Sequence, residues 1–172
     1  MKNNGPVFRL KNGNYKIDLA TDHRKLLTQL VEQLRDSLAT TTDDPNLRRL
    51  FPTAYNNDAK KDAEYQRLMR DELLESRLAA IDVTIKVMAQ DDEISAEEID
   101  AFARSINSLR LVLGTTLDIA ESDYGSQSDT QQSDDPDSDE ASEADELLIQ
   151  KELYEYLGWL LEWTVGAQSS GL

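Results

Sequence analysis

The 172 residues contain one histidine, His23, and no cysteine, which narrows the chemistry the side chains can do. Without thiolates there is no disulfide, no cysteine zinc site, no iron–sulfur cluster and no thiol redox switch in this chain. His23 stands among Asp22, Arg24 and Lys25 at the start of a helical pattern. Those neighbours favour a solvated surface histidine over a general base. Neither a glycine-rich phosphate loop nor a Gly-x-Ser-x-Gly elbow is present. The acidic stretch Asp91-Asp92-Glu93-Ile94-Ser95-Ala96-Glu97-Glu98 resembles the second half of a calcium-binding EF-hand loop. With Glu98 as the twelfth ligand, however, Val87 would stand first, Ala89 third, and Asp92 where glycine is needed; none of the three fits calcium. An interhelical turn with a Ser95–Glu98 capping box suits these residues better. The expectation is no enzyme activity, no metal and no cofactor.

Other residues suggest contact rather than catalysis. Arg110 interrupts the apolar run Leu109-Arg110-Leu111-Val112-Leu113, and Asn107, Arg110 and Gly114 share one helical stripe at i, i+3 and i+7. A guanidinium buried alone costs too much, so Arg110 is expected to pair with a carboxylate of a neighbouring helix or to touch a ligand or partner. Gly114 marks a close helix crossing or the approach of a helix end. Arg9, Lys11 and Lys16 form the densest basic cluster of a chain whose net charge is −16. Tyr156, Trp159 and Trp163 span more of a helix circumference than one buried stripe needs. Tyr156 and Trp159 are therefore candidate partner contacts. Phe51 and Pro52 are expected to anchor their loop to the core.

The elements that must carry these residues follow from periodicity. Residues 7–19 alternate around Asn12-Gly13, the preferred pair for a two-residue type I′ turn. Pairing outward from that turn sets Leu10 opposite Tyr15 and Phe8 opposite Ile17 on an inner face, with Arg9, Lys11 and Lys16 outward. The hairpin's free edges could accept a partner strand. Helices are expected over about 22–38, 62–89, 95–117 and 146–165, with Leu27, Val31, Leu34 and Leu38 on the first and Ile99, Phe102, Ile106 and Leu109 on the third. The fold class is mainly α: a bundle of about four main helices with a small N-terminal β-hairpin.

Charge divides the chain. Residues 1–90 hold 15 basic against 13 acidic side chains, whereas residues 121–146 hold 11 acids and no base. The expected organisation is a hairpin and bundle over 1–120, a disordered acidic linker over 121–145, and a C-terminal helix over 146–172 that packs back on the bundle as part of one domain. No apolar run reaches membrane-spanning length, and the N-terminal residues lack the apolar stretch of a secretory signal. The cytoplasm, with no membrane association, is the expected location. The strong negative charge argues against broad wrapping of nucleic acid.

Three segments carry a family resemblance: Leu50-Phe51-Pro52-Thr53-Ala54-Tyr55, Asn107-Ser108-Leu109-Arg110-Leu111-Val112-Leu113-Gly114-Thr115-Thr116-Leu117 and Tyr154-Glu155-Tyr156-Leu157-Gly158-Trp159-Leu160. In content and order, with an acidic segment between the last two, they resemble the actinobacterial oxidative-stress regulator AosR family. Many of its members are domain-of-unknown-function proteins encoded beside the Clp adaptor ClpS. The resemblance implies a transcription-associated regulator of stress and redox homeostasis, acting through protein contacts with a sigma factor or RNA polymerase. It supplies no catalytic residues. This chain departs from a thiol-based sensor in having no cysteine. A second copy of the chain is a further candidate partner. A direct DNA-binding regulator, supported by Arg9, Lys11, Lys16, Arg48 and Arg49, is one alternative function, and an accessory protein of Clp proteolysis is another.

Overall fold

The computed structural model describes residues 5–40, 45–51, 57–125 and 138–170. Strands β1 (Val7–Arg9) and β2 (Tyr15–Ile17) form an antiparallel hairpin. Helix α1 (Thr21–Thr40), a 3₁₀ turn (Pro45–Leu50), and helices α2 (Ala59–Met88), α3 (Ala96–Gly125) and α4 (Ser138–Ser169) follow. The expected helical bundle with an N-terminal hairpin is the architecture observed.

Helix α3 lies at the centre, packed against α2 and α4, with the 3₁₀ turn also on it. Its inward stripe of Ile99, Phe102 and Ile106 is fully buried. Helix α1 contributes Leu27, Val31, Leu34 and Leu38 to the same core, and α4 contributes Leu157 and Leu160. The α2–α3 crossing uses small polar residues. The Thr84 hydroxyl donates to Ala80 O at 2.9 Å and lies 2.8 Å from Ser105 Oγ, both side chains being buried. Helix α3 starts as its capping box requires: Ser95 N donates to Glu98 Oε2 at 2.8 Å and Glu98 N to Ser95 Oγ at 3.2 Å. Asp58 caps α2 by accepting from Lys61 N at 3.1 Å.

Two expectations need correction. The hairpin pairs Val7 with Ile17, Phe8 with Lys16 and Arg9 with Tyr15, one residue away from the expected register. Gly13 N donates to Leu10 O (3.1 Å) and Leu10 N to Asn14 O (2.8 Å), with Gly13 at φ +90°. This is a three-residue connection with a bulge, in which only Gly13 needs the left-handed region. The slip moves Val7 into the core and leaves Phe8 and Leu10 half-buried.

The helices also run further than the linker reading allowed. Residues 121–125 end α3 and residues 138–145 begin α4. The remaining linker positions, 126–137, lie outside the described residues, as does Pro52. Phe51 is buried, as an anchor should be.

Candidate functional site

Arg110 projects from α3 onto α4. Its guanidinium carbon lies 4.8 Å from the centroid of the Tyr154 ring, and a Cβ added at Gly158 would stand 3.3 Å from Arg110 Nε. The expected carboxylate partner is not there: among the described residues Arg110 makes no ion pair, and its buried Nε has no hydrogen-bond partner. The charge is accommodated by the π-face of Tyr154 instead. One turn on, Gly114 is buried, and a Cβ there would meet Arg49 Nη1 at 3.0 Å and Tyr154 Cε2 at 3.2 Å. Arg49 itself pairs with Asp118. Gly114 is thus the close approach its sequence context suggested, made by a 3₁₀-turn arginine and an α4 tyrosine. Asn107 is exposed and takes no part. The fold therefore gathers Arg49, Arg110, Gly114, Tyr154 and Gly158, drawn from three separated segments, into one α3–α4 seam.

The basic residues of the hairpin do not share a face. Arg9 lies on the side of Val7, Tyr15 and Ile17, 6.0 Å from the Tyr15 ring centroid, while Lys16 lies on the other. Lys16 Nζ is 2.9 Å from Asp91 Oδ1, and Lys11 is exposed at the turn. The outer edge of β2 is also taken at Tyr15, which exchanges two 2.9 Å backbone hydrogen bonds with Ile94. Sequence reasoning missed the organiser of this region, Arg24. It donates to Gln90 O (2.9 Å), Ile17 O and Asp91 Oδ1 (3.1 Å), tying α1, the hairpin and the α2–α3 turn together. Lys16 bonding holds the Asp91 carboxyl below its ordinary pKa, and donation from Asn12 (2.9 Å) and Asn14 (3.3 Å) does the same for Glu93. The acidic stretch is a dock for the hairpin; among the described residues no group of His, Asp or Glu is placed to hold a metal ion.

Aromatic residues of α4 form a partly exposed patch with His23. Trp159 and Trp163 leave 45 % and 40 % of their surface in water. The Tyr156 and Trp159 rings lie 5.9 Å apart, and His23 meets Tyr156 edge-on at 5.3 Å. His23 Nδ1 is 3.3 Å from the Tyr156 hydroxyl, whose pKa is raised by burial. His23 is exposed, as expected, but it also ties α1 to α4. Trp163 closes over Gly5, where a Cβ would stand 2.4 Å from Trp163 Cε3. Leu26 on α1, three residues from His23, is also exposed.

Next to this patch α1 and α4 part, leaving a groove of about 220 Å³ floored by α3. Its lining is mostly apolar, with Leu30 and Leu34 from α1, Leu153 and Leu157 from α4 and Leu109 and Val112 beneath, but Gln33, Ser37 and Thr116 also face it. Periodicity shows each of these stripes but not that they flank one cleft.

A family model described as a domain of unknown function, DUF2017, matches residues 3–168. No curated protein and no solved structure matches the chain. No helix of the described residues is long and apolar enough to cross a membrane.

Proposed function

We propose that this chain, which belongs to the DUF2017 family, is a regulatory protein without enzyme activity that acts through protein–protein contacts in transcription. The observation that carries the reading is the ordered, half-exposed aromatic patch of His23, Tyr156 and Trp159. A large aromatic side chain buries about 150–250 Å², so covering the exposed part of Trp159 is worth roughly 2–3 kcal/mol. That is enough to make it an anchor of an interface.

The transcriptional part rests on the resemblance of Leu50–Tyr55, Asn107–Leu117 and Tyr154–Leu160 to the oxidative-stress regulator family; the last two segments carry Arg110, Gly114, Tyr154 and Gly158 of the α3–α4 seam. A sigma factor or RNA polymerase is the partner this reading names. With no cysteine, any stress response of this chain runs through that contact rather than through a thiol of its own. The DNA-binding alternative gains nothing from the structure, because Arg9 and Lys16 lie on opposite hairpin faces and Lys16 and Arg49 are each ion-paired.

The test is binding of the full chain to purified actinobacterial RNA polymerase and to its separate sigma factors. Saturable binding, weakened about tenfold or more by Trp159→Ala in a variant with unchanged circular dichroism, is the expected result. Binding to none of them removes the transcriptional reading. Binding indifferent to Trp159 and Tyr156 removes the patch.

A further inference from the structure

Asn12 and Gly13 hold the two groups of a reaction that needs no enzyme. The chain itself places an asparagine side-chain carbonyl and the main-chain nitrogen of the next residue to close a five-membered ring, so the attack is intramolecular. Glycine offers the least hindered nitrogen because it has no Cβ. The sequence contains two such pairs, Asn4-Gly5 and Asn12-Gly13. Asn4 lies outside the described residues, whereas Asn12 is exposed at the tip of the hairpin.

The turn prepares the Asn12 amide. Asn14 N donates to Asn12 Oδ1 at 3.0 Å. That oxygen takes the negative charge when the side-chain carbonyl is attacked, and a donor already in place stabilises it. Asn12 Nδ2, the nitrogen that leaves, donates to Glu93 Oε2 at 2.9 Å. Gly13 N donates to Leu10 O at 3.1 Å, so the attack waits for that one bond to open. The folded chain should therefore react more slowly than a free peptide of the same sequence.

The same contacts decide what the reaction does to the fold. Asn12 and Asn14 both donate to Glu93 Oε2, at 2.9 and 3.3 Å, and so tie the hairpin to the α2–α3 turn. An aspartate at position 12 has no such donor and sets a carboxylate oxygen beside that of Glu93, which turns one tie into a repulsion. An isoaspartate also adds a methylene to the main chain inside the loop closed by Leu10 N and Asn14 O (2.8 Å), and the strand register rests on that loop. The Lys16–Asp91 pair and the bonds of Arg24 are untouched, which confines the loosening to the hairpin.

We propose that Asn12 is a modification site that deamidates in the folded protein and loosens the hairpin from the α2–α3 turn. The Gly13 nitrogen bonds to Asn12 Cγ, the Cγ–Nδ2 bond breaks, and ammonia leaves with the Gly13 amide proton. Water then opens the succinimide to aspartate or isoaspartate, with one more negative charge beside Glu93. Water is the only co-reactant, so the change is slow and runs one way. It concerns the hairpin and stands apart from the protein-contact reading of the aromatic patch.

The experiment ages the full chain at physiological temperature and mildly alkaline pH beside a free peptide of residues 10–16. Peptide mapping reads a gain of one mass unit in the fragment that holds residues 12–16, and a protein isoaspartate methyltransferase labels the isoaspartate. Amide exchange at Tyr15 and Ile94, which bond each other across the dock, reads the consequence. Expected are a mass gain in that fragment, slower than in the free peptide, and exchange about tenfold or more faster at both amides with unchanged helical circular dichroism. Asn12→Asp made directly should show the same faster exchange. Asn12→Ser, which removes the amide without adding charge, should loosen the dock less and show no mass gain in the fragment. No gain at Asn12 while the free peptide converts overturns the proposal, because the Leu10–Gly13 bond then blocks the attack. So does a gain that survives Asn12→Ser, which places the reaction at Asn14, and so does an Asn12→Asp chain whose exchange is no faster than before.

Discussion

Replacing Arg110 with methionine separates two ways of burying a cation. A guanidinium in a buried ion pair leaves an unpaired carboxylate behind when it is removed, at a cost of roughly 3–5 kcal/mol. The structure shows a different arrangement: Arg110 stacks at 4.8 Å on Tyr154, packs against Gly158, and leaves its Nε without a hydrogen-bond partner. The substitution then loses a cation–π interaction of roughly 0.5–2 kcal/mol. It relieves an unsatisfied buried donor worth roughly 1–3 kcal/mol. Methionine retains most of the aliphatic stem, while the guanidinium atoms that lie against Gly158 are lost. The opposing effects nearly cancel, so the change in unfolding free energy should lie within about 1 kcal/mol of zero. Urea denaturation followed by the fluorescence of Trp159 and Trp163 measures it. A double-mutant cycle with Tyr154→Leu should return a coupling of roughly 0.5–2 kcal/mol, the cation–π share. A loss above about 3 kcal/mol with no coupling to Tyr154 would refute the reasoning, because it would mean that Arg110 neutralises a carboxylate.

Two further predictions concern the hairpin. Asp91 and Glu93 have folded-state pKa values held below the ordinary ones, so their contribution is present above the unfolded pKa and is lost as pH falls through the folded one. Hairpin docking should therefore be intact at neutral pH and weaken below about pH 4, where unperturbed carboxylates titrate. Amide-exchange protection at Tyr15 and Ile94 reports it; protection that persists unchanged at pH 2, or that Asp91→Asn leaves intact at pH 7, would contradict the docking role. Gly13→Ala places a side chain at φ +90° and should cost about 1–2 kcal/mol by urea denaturation, whereas a type I′ turn would make Asn12 equally intolerant of alanine.

What the sequence determined is what short-range physics decides. The apolar spacing of Leu27, Val31, Leu34 and Leu38 and of Ile99, Phe102 and Ile106 defines a helical face whatever it packs against. The Ser95–Glu98 box closes within one turn, so its residues alone suffice to mark the start of α3. The presence of a hairpin was legible from Asn12-Gly13, but its register was not. That pair serves both a two-residue turn and a bulged three-residue turn, and the two differ in which strand residues point inward. The seating of Val7 in the core and the pairing of Tyr15 with Ile94 go with the bulged form, and both involve residues far away in the chain.

Average composition also misplaced the ends of α3 and α4. A run of acids reads as a solvated linker because composition reports solvation, not how far the flanking helices continue into it. Arg110 stood out as an anomaly in an apolar run, yet its neighbour was beyond reach of the pattern. Whether a carboxylate or a tyrosine faces it depends on how α4 crosses α3, and the crossing is set by the glycines at 114 and 158 only once the two helices meet. The groove is tertiary for the same reason. The stripes of α1 and α4 are each visible in the sequence, but a cleft between them exists because both lean on α3 while touching each other at His23 and Tyr156. Periodicity states which side of a helix is apolar; only the packing of a third helix decides how much of that side is left open.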